Sequence, residues 1–492
     1  MSSRRFVLPG DPRGPAPALL LGLIGLTLGS ACGGSADSPP DAAPPDAPAA
    51  AVCAETWMPP PACAATDLEG KLRCIPGLTV TPRPDAPLPG YTRYDLSFTQ
   101  PVDHTRPEAG TFQQRLILMH ASAERPMVLA TSGYDLSQRS RIDEVATLFG
   151  ANELWYEHRF FDVSTPSPAD YSKLDIRQAA GDAHRIALAL HWLYPKAWVN
   201  TGISKGGMTS VYHRRFYPCD VDATVAYVAP SSRGAGDPAY LDFLANVGGA
   251  AYATCRADLR DVQRRMLTQR EAIVPLLDGQ YTQLAVDKVF EMAVIELPFA
   301  FWQYTSPQDP TAGCGAIPAQ GATPAALLAF LQLHSSPATL GGDASLVRYR
   351  AYYHQAAAQL GFPSPLETGL TDLLRYPGLD VAATFLPAGT APAFDATVMP
   401  EIEAWVKAEG KQLLFIYGEY DPWSTRLFDP TSSNDSHLYV QAGGSHRAKI
   451  SLLSATDRAG ALGALGRWIG QAPVVTARSA ASDLDDLERR PR

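Results

Sequence analysis

The sequence predicts an α/β protein built on a mostly parallel sheet with helices on both faces. Eight short apolar runs have the length and composition of buried strands, and after the first pair they alternate with helical patterns. Strands that alternate with helices form parallel sheets, because each crossover helix returns the chain to the same end of the sheet. The eight runs span residues 91–99, 112–120, 126–131, 153–156, 197–201, 223–228, 411–417 and 436–441.

The alternation stops between residues 231 and 401, where the sequence is helical and aromatic instead. An insertion of this size between the sixth and seventh strands is expected to form a cap over the sheet, which restricts entry to short peptides or chain ends. The core is then predicted in two parts, 53–230 and 402–475. The predicted helices include 175–194 in the core and 258–277, 283–296 and 344–360 in the cap.

One motif indicates the chemistry of this core. The segment Gly202-Ile203-Ser204-Lys205-Gly206 matches Gly-x-Ser-x-Gly and lies between the strand run at 197–201 and a helical pattern at 208–217. Flanking glycines tolerate the sharp strand-to-helix turn that lifts a serine hydroxyl clear of a sheet. A glycine-rich loop with an incidental serine is the alternative. The flanks favour Ser204 as a nucleophile and predict an α/β-hydrolase fold, with the cap inserted between the nucleophile half and the acid strand.

A serine nucleophile of this fold needs an acid and then a histidine further along the chain. The strand run at 411–417 is followed by Asp421, the predicted acid, with Glu419 as its rival. After the next strand run, two glycines and a serine lead to His446, the predicted base, because the glycines let a loop bring the imidazole back over the sheet. His437, which opens that strand run, is the weaker alternative. The predicted catalytic residues are therefore Ser204, Asp421 and His446.

An oxyanion hole requires two backbone N–H donors, one from the residue after the nucleophile and one from the loop after an earlier strand. Lys205 follows the nucleophile. The strand run at 126–131 leads into Ser132-Gly133-Tyr134, where glycine lets the backbone approach a developing oxyanion. Tyr134 or Gly133 is therefore the predicted second donor, and an ordinary turn glycine is the alternative.

Six segments together carry a family resemblance: residues 100–104 (QPVDH), 131–134 (TSGY), 157–161 (EHRFF), 201–209 (TGISKGGMT), 220–230 (DVDATVAYVAP) and 417–423 (YGEYDPW). They resemble the secreted bacterial prolyl tri/tetrapeptidyl aminopeptidases of the PS-10 type and, more distantly, the lysosomal prolyl carboxypeptidase and dipeptidyl peptidase group. The resemblance runs from about residue 91 to about residue 470. It implies a serine exopeptidase that removes short peptides, often after proline, from a free N-terminus.

An exopeptidase of this kind must bind the ammonium group of its substrate, which in a closed site requires a carboxylate at a fixed distance from the nucleophile. Glu157, which follows a predicted strand, is the leading candidate and Glu296 is the second. The aromatic run at 299–304, with Trp302, could wall a pocket for a proline ring. The alternatives are a structural ion pair within Glu157-His158-Arg159 and ordinary core packing of the aromatic rings.

The N-terminal segment has the features of an export signal. Three arginines precede an apolar run at 18–28, which is too short to span a bilayer. Small residues then lead to Cys32 in a pattern that resembles a lipobox, and a twin-arginine signal is an alternative to the general secretory route. We expect residues 1–31 to be a signal peptide, Cys32 to be lipidated as the only membrane attachment, 32–52 to be a Pro/Ala/Asp-rich spacer and 476–492 to be a disordered tail.

The number of cysteines agrees with export. Removing Cys32 from the seven leaves six, which could form three disulfides in an oxidising compartment. Three lie in the N-terminal segment and three in the core and cap, so full pairing requires at least one bridge between the two groups. The first group is Cys53, Cys63 and Cys74, and the second is Cys219, Cys255 and Cys314.

Charge and motifs argue against several functions. The net charge is −9, and removal of a signal with three arginines and one aspartate takes it to −11, which argues against nucleic-acid binding. The sequence has no Cys-x-x-Cys pair and no His-Glu-x-x-His motif, so it predicts no metal, and we expect no cofactor. The family resemblance implies peptides as the substrates. Two other classes share the fold: an esterase or lipase acting on small acyl esters, which would not require a free α-amino group, and a binding lipoprotein without catalysis.

Overall fold

The computed structural model describes residues 60, 62–85, 88–136 and 141–474. The strands within these ranges are β1 (Leu78–Pro82), β2 (Thr92–Pro101), β3 (Thr111–His120), β4 (Met127–Thr131), β5 (Asn152–Tyr156), β6 (Trp198–Ile203), β7 (Ala223–Tyr227), β8 (Leu413–Gly418) and β9 (His437–Gln441). They form one sheet with the order β1-β2-β3-β5-β4-β6-β7-β8-β9. β1, β2, β3 and β5 pair antiparallel in that order, and all pairs from β5 to β9 are parallel.

Helices cover both faces of this sheet. The α-helices are α1 (Leu68–Arg73), α2 (Glu144–Phe149), α3 (Ile176–Leu190), α4 (Lys205–Phe216), α5 (Ala239–Asn246), α6 (Ala253–Thr268), α7 (Arg270–Ile273), α8 (Val286–Tyr304), α9 (Pro324–His334), α10 (Pro337–Gly341), α11 (Asp343–Gln355), α12 (Val398–Ala408) and α13 (Ala455–Ile469). Apolar residues of α2 and α13 pack on one face, and those of α3, α4 and α12 pack on the other. The α/β-hydrolase fold predicted from the sequence is thereby confirmed.

The eight predicted strand runs correspond to β2 to β9, and the sequence missed only β1 of the described strands. β1 pairs with β2 alone, at the edge of the sheet, and Val80 is its only buried residue. A strand with one buried side chain shows no alternation of apolar and polar residues in its sequence. Pro82 weakens the strand signal further, because proline is uncommon in strands.

The segment predicted as a cap contains α5 to α11. Their buried residues form an apolar core of their own, which Tyr134, Phe161 and Trp423 join from loops at the edge of the sheet. The expected boundary at residue 401 falls inside α12, whose Met399 and Ile402 pack with α4 and β8 against the sheet. α8 is longer than the predicted 283–296, so the aromatic run at 299–304 belongs to this helix although Pro298 lies within it.

Two disulfides join cysteines of the same group, Cys63 with Cys74 and Cys255 with Cys314, and Cys219 is also disulfide-bonded. The predicted signal peptide (1–31), Cys32, the spacer (32–52), Cys53 and the tail (476–492) lie outside the described residues. The bridge expected between the two groups of cysteines therefore stays a prediction. In the part of the chain that the structure describes, no helix is long and apolar enough to cross a membrane.

Candidate active site

Ser204 lies on a strained turn between the end of β6 and the first residue of α4. Its backbone angles, φ 58° and ψ −125°, define a conformation that residues other than glycine rarely adopt. Its backbone N–H donates to the Tyr227 carbonyl oxygen of β7 at 2.8 Å, which holds the turn at the carboxyl edge of the sheet. This is the geometry of a nucleophile elbow, in which strain presents the serine hydroxyl above the strands.

The glycines beside Ser204 are required by close packing. A Cβ atom added to Gly202 would lie 2.2 Å from the carbonyl carbon of Gly206, and one added to Gly206 would lie 2.1 Å from the Thr131 carbonyl oxygen. Both distances are far below van der Waals contact, and the second involves β4, the neighbouring strand. The Gly-x-Ser-x-Gly motif is therefore a packing requirement at this position.

The acid and the imidazole meet above the ends of β8 and β9. His446 Nδ1 lies 2.7 Å from Asp421 Oδ2, and Asp421 Oδ1 accepts from the Trp423 backbone N–H at 3.1 Å. Both side chains are buried, with 0% of Asp421 and 1% of His446 exposed. Burial raises the pKa of the Asp421 carboxyl, and the charge and hydrogen bond of His446 lower it again in part. Asp421 can therefore fix the orientation of the His446 imidazole in a site that excludes water.

Glu419, the rival acid, binds a backbone N–H instead of the imidazole. Its side chain is exposed, and its Oε2 accepts from the Gly443 backbone N–H at 2.7 Å. The structure thus pairs His446 with Asp421 and uses Glu419 to hold the loop that precedes the histidine.

The second imidazole nitrogen, His446 Nε2, is buried and has no hydrogen-bond partner among the described residues. The Ser204 hydroxyl therefore does not bond to it in this structure. Catalytic hydrogen bonds are often long in enzymes without substrate and shorten only in the complex. Nε2 is the nitrogen that a base beside Ser204 would use, because Nδ1 is engaged by Asp421.

The predicted oxyanion loop packs directly on the elbow. Gly133 has a φ of 76°, and a Cβ atom there would lie 2.8 Å from the Gly206 backbone nitrogen. The Lys205 ammonium donates to the Gly133 carbonyl oxygen and lies 5.2 Å from the ring centres of both Tyr134 and Phe161. The side chain of Lys205, which the sequence considered only for its backbone N–H, thus holds the loop that follows β4.

Both candidates for the second oxyanion donor already have partners. The Tyr134 N–H donates to Ser132 Oγ at 3.2 Å, and the Gly133 N–H donates to Thr131 Oγ1 at 3.1 Å. Either N–H would have to exchange a hydroxyl for the oxyanion during the reaction. The two hydrogen bonds are of nearly equal length, so both N–H groups stay candidates for the second donor.

Glu157, the leading candidate for binding an ammonium group, is fully buried and its carboxylate is occupied. It accepts from Arg115, from the Leu136 backbone N–H at 2.7 Å and from Ser164 Oγ at 2.7 Å. Burial raises the pKa of Glu157, and these bonds lower it again. Its ionic partner is Arg115 and not the nearby Arg159. The structural ion pair suggested for residues 157–159 therefore does not form between Glu157 and Arg159. The geometry favours a structural role for this glutamate.

Arg159 belongs to another buried network. It forms a bidentate ion pair with Asp182, with both N···O distances at 2.7 Å. It also donates to the carbonyl oxygens of Pro101 and Val102, at 3.2 and 3.0 Å. Two of the segments that carry the family resemblance, 100–104 and 157–161, are therefore joined through this arginine. Their signature residues support the fold of the core.

Glu296 and Trp302 both lie in α8 and are buried, but on different faces. At 3.6 residues per turn, Trp302 lies roughly 240° round the helix from Glu296. The charge of Glu296 adds to burial in raising the pKa of Tyr353, and the charge of Tyr134 contributes in the same direction. Trp302 packs edge-on against Tyr252 and Tyr420, at 5.7 and 5.9 Å between ring centres.

The structure adds one contact to the site that the sequence did not predict. The last turn of α8 touches the histidine loop through Gln303 and Tyr304. No local pattern connects positions 303 and 446, so only the tertiary structure could reveal this contact. Within the described ranges, no group of three or more His, Cys, Asp or Glu side chains is placed to hold a metal ion.

The sheet order and the strained serine at the end of β6 define the class of this protein as an α/β-hydrolase. The family model of the PS-10 peptidases, peptidase family S37, matches residues 61–490, and the chain belongs to this family of serine peptidases. The family predicted from the sequence is thus confirmed. The prolyl tri/tetrapeptidyl aminopeptidase of Streptomyces mobaraensis is 38% identical over 421 residues, which cover 83% of this chain and 86% of that protein.

Several solved structures are similar at a lower level. Lpx1, a peroxisomal α/β-hydrolase of Saccharomyces cerevisiae, is 12% identical with a TM-score of 0.31, and the match covers 80% of this chain and 95% of that one. The proline iminopeptidase of Mycobacterium smegmatis is 14% identical with a TM-score of 0.29, covering 75% and 91%. VinJ is 14% identical with a TM-score of 0.31, covering 71% and 91%.

Proposed function

We propose that this protein is an exported serine exopeptidase that releases short peptides, chiefly tripeptides, from free N-termini. The single observation that carries the proposal is the buried Asp421–His446 pair, at 2.7 Å, in a chain whose Ser204 occupies a strained elbow. The identity with a prolyl tri/tetrapeptidyl aminopeptidase supports tripeptide release with proline or a small residue at the cleaved position.

In the proposed mechanism, Ser204 Oγ attacks the scissile carbonyl carbon while His446 Nε2 takes its proton. Asp421 holds the imidazole through Nδ1 and stabilises the imidazolium that forms. The oxyanion accepts from the Lys205 N–H and from that of Tyr134 or Gly133. His446 then protonates the leaving amine, and an acyl-enzyme ester remains on Ser204. Water, activated by the same imidazole, hydrolyses this ester and releases the short peptide as its free acid.

We further propose that Glu296, rather than Glu157, binds the substrate's ammonium group. Glu296 is buried in α8, the helix whose last turn contacts the His446 loop, and its charge contributes to raising the pKa of Tyr353. Glu157 is already bound by Arg115, Leu136 and Ser164. A buried carboxylate at a fixed distance from the nucleophile would set the length of the peptide between the ammonium group and the cleaved bond.

Turnover of chromogenic tripeptide amides tests this function directly. The substrates would carry proline or alanine at the cleaved position, each with a free and with an acetylated N-terminus. An exopeptidase should turn over the free tripeptides and lose most activity when the amine is blocked. Equal turnover of blocked amides, or preference for simple acyl esters, would instead indicate the esterase or lipase alternative. No turnover of any substrate would favour a binding protein.

The location of the enzyme is part of the proposal. The two disulfides of the described residues suit an oxidising compartment outside the cytosol. We infer that Cys32 carries a lipid and that residues 32–52 space the catalytic region from the membrane. Fatty-acid labelling of the wild type, with loss of label and release into the soluble exported fraction in Cys32→Ala, would support this. An unlabelled wild type with a different mature N-terminus would indicate a secreted enzyme without an anchor.

A further inference from the structure

A cavity of about 380 Å³, partly open to solvent, lies between α5, α6 and α8 of the cap. This volume is at the low end of the roughly 300–1,000 Å³ typical of small-molecule sites, so the cavity has room for a small ligand but not for an extended chain. Its wall is largely apolar, with Leu241, Leu244, Leu259 and Pro298 among the lining residues.

Three of the side chains that line the cavity carry buried polar atoms without a hydrogen-bond partner among the described residues. These atoms are Arg260 Nη1, Gln263 Oε1 and Trp302 Nε1. Gln263 and Trp302 are both 0% exposed. Such atoms are rare in folded proteins, because each has lost its hydrogen bonds to water without a replacement. Three of them around one cavity indicate that a ligand supplies the missing partners.

The orientation of the Gln263 carboxamide is set by the proline in α8. Pro298 has no N–H, so the Val294 carbonyl oxygen has no partner from within the helix. Gln263 Nε2 donates to this oxygen at 2.6 Å. Reversing the carboxamide would place two oxygens against each other, so Nε2 must face α8 and Oε1 is left as an acceptor. The cavity therefore offers one acceptor and two donors.

Three charged residues line the cavity. The Arg256 guanidinium donates to the carbonyl oxygens of Val247 and Gly249. Arg260 in α6 and Asp242 in α5 have no ion-pair partner among the described residues, and Asp242 is exposed. Burial lowers the pKa of the Arg260 guanidinium, and the charge of Arg264 lowers it further, so an anion beside Arg260 would relieve both effects. A ligand with an anionic and a cationic end could use Arg260 and Asp242.

The cavity lies on a different side of α8 from Glu296. Pro298 and Trp302 line the cavity, and they lie roughly 200° and 240° round the helix from Glu296. The helix itself therefore stands between the cavity and the proposed ammonium site.

We propose that this cavity is a second binding site, for a short apolar peptide with both termini free. The ligand's carboxylate would accept from Arg260 and from the Trp302 indole N–H, as charge-assisted bonds favour. An amide N–H would donate to Gln263 Oε1, and the ammonium group would pair with Asp242. Peptides of this class are the products of the exopeptidase reaction, so the biological meaning of the site rests on the proposed function, whereas the binding itself does not.

Calorimetric titration of the full chain with the tripeptide Ala-Ala-Pro tests the proposal. The Ser204→Ala background prevents turnover, and His446→Ala serves if that variant fails to fold. Adding Arg260→Met should weaken binding of the free acid by about tenfold or more, and adding Trp302→Phe should weaken it severalfold. The C-terminal amide of the peptide should bind weakly to the background and lose nothing further with Arg260→Met.

Arg375→Met is the matched control, because Arg375 is an exposed cap arginine paired with Glu271 and does not line the cavity. It should leave binding unchanged. The proposal is overturned if the background binds no peptide, or if Arg260→Met and Trp302→Phe bind it as tightly as the background does, in which case the cavity holds trapped water only. Turnover of tripeptide amides by the wild type is measured separately, so failure of the proposed activity is distinguishable from failure of this site.

Discussion

The backbone N–H of His446 donates to the carbonyl oxygen of Gln303 at 2.8 Å, so the last turn of α8 holds the loop of the proposed catalytic base. Tyr304 follows on the same turn and packs edge-on against the imidazole, with 5.9 Å between ring centres and 89° between ring planes. Asp421 binds the same ring through Nδ1. The imidazole is therefore positioned jointly by the core and by a helix of the inserted segment.

This contact predicts a catalytic effect of the Tyr304 ring. Tyr304→Ala should lower kcat by about tenfold while changing KM less, because a less constrained imidazole spends less time in the reactive orientation. Tyr304→Phe keeps the ring and should retain most activity. Steady-state kinetics on a tripeptide amide measures both. If the phenylalanine variant loses as much as the alanine variant, the hydroxyl and not the ring is what supports His446.

Substitution of the proposed triad should abolish turnover without unfolding the protein. Ser204→Ala and His446→Ala should each lower kcat by about 10⁴-fold or more, and Asp421→Asn by a similar or smaller factor. Thermal denaturation should show near-native stability for Ser204→Ala. Glu419→Gln is the control, since the Glu419 carboxylate accepts from the Gly443 N–H, whereas His446 is paired with Asp421. An inactive Glu419→Gln together with an active Asp421→Asn would transfer the acid role to Glu419.

The elbow should not tolerate a single added methyl group. Gly206→Ala would place its Cβ atom 2.1 Å from the Thr131 carbonyl oxygen, so we expect a loss of about 1–3 kcal/mol in the free energy of unfolding, together with loss of activity. Gly463→Ala in α13 has nothing within 4 Å of its added Cβ atom and should be neutral or stabilising by up to ~1 kcal/mol. Urea unfolding compares the two, and an active, stable Gly206→Ala would contradict the packing argument.

The two candidate carboxylates should separate on paired substrates. Glu296→Gln should lower kcat/KM on free tripeptide amides by about 30-fold or more and spare N-acetylated or ester substrates, because only the free substrates have an ammonium group to bind. Glu157→Gln should lower activity equally on both and also lower the melting temperature, since the loop that contains Leu136 and Ser164 depends on it. The reverse assignment would restore Glu157 as the ammonium site.

Buried histidines should make the protein less stable in mild acid. Burial lowers the pKa of His158 well below its usual value of 6.5, and the Lys205 charge lowers it further. The unfolded chain therefore binds a proton below pH 6.5 that the folded protein does not bind, and the free energy of unfolding falls as pH falls. His120 and His354, whose pKa values are also lowered by burial, act in the same direction.

Urea unfolding at about pH 7.5 and about pH 5.5 measures this effect. His158→Gln should lose less stability between these values than the wild type. Asp421 and Glu157 have raised pKa values and act in the opposite direction, so the comparison is made between variants. An equal loss of stability in His158→Gln and the wild type would exclude His158 as the source.

Most of the sheet could be predicted because its signals are local. A buried parallel strand is a short apolar run, and eight such runs correspond to strands β2 to β9. The glycines around Ser204 are needed because a side chain there would clash with residues of the same turn and of the neighbouring strand β4. This requirement is local, so the sequence motif shows it. α8 was predicted too short, because Pro298 interrupts the local helical signal, and only the Gln263 side chain from α6 compensates for the lost hydrogen bond.

What the sequence by itself determined is the family, the sheet and the chain order of serine, acid and histidine. Only the tertiary structure decided which acid reaches the imidazole, since Asp421 and Glu419 are two residues apart and differ in the loop geometry that buries one and exposes the other. It also paired Glu157 with Arg115 and brought Gln303 to His446. Local patterns arise from repeating backbone geometry, whereas such contacts join residues far apart in the chain and depend on how the loops pack.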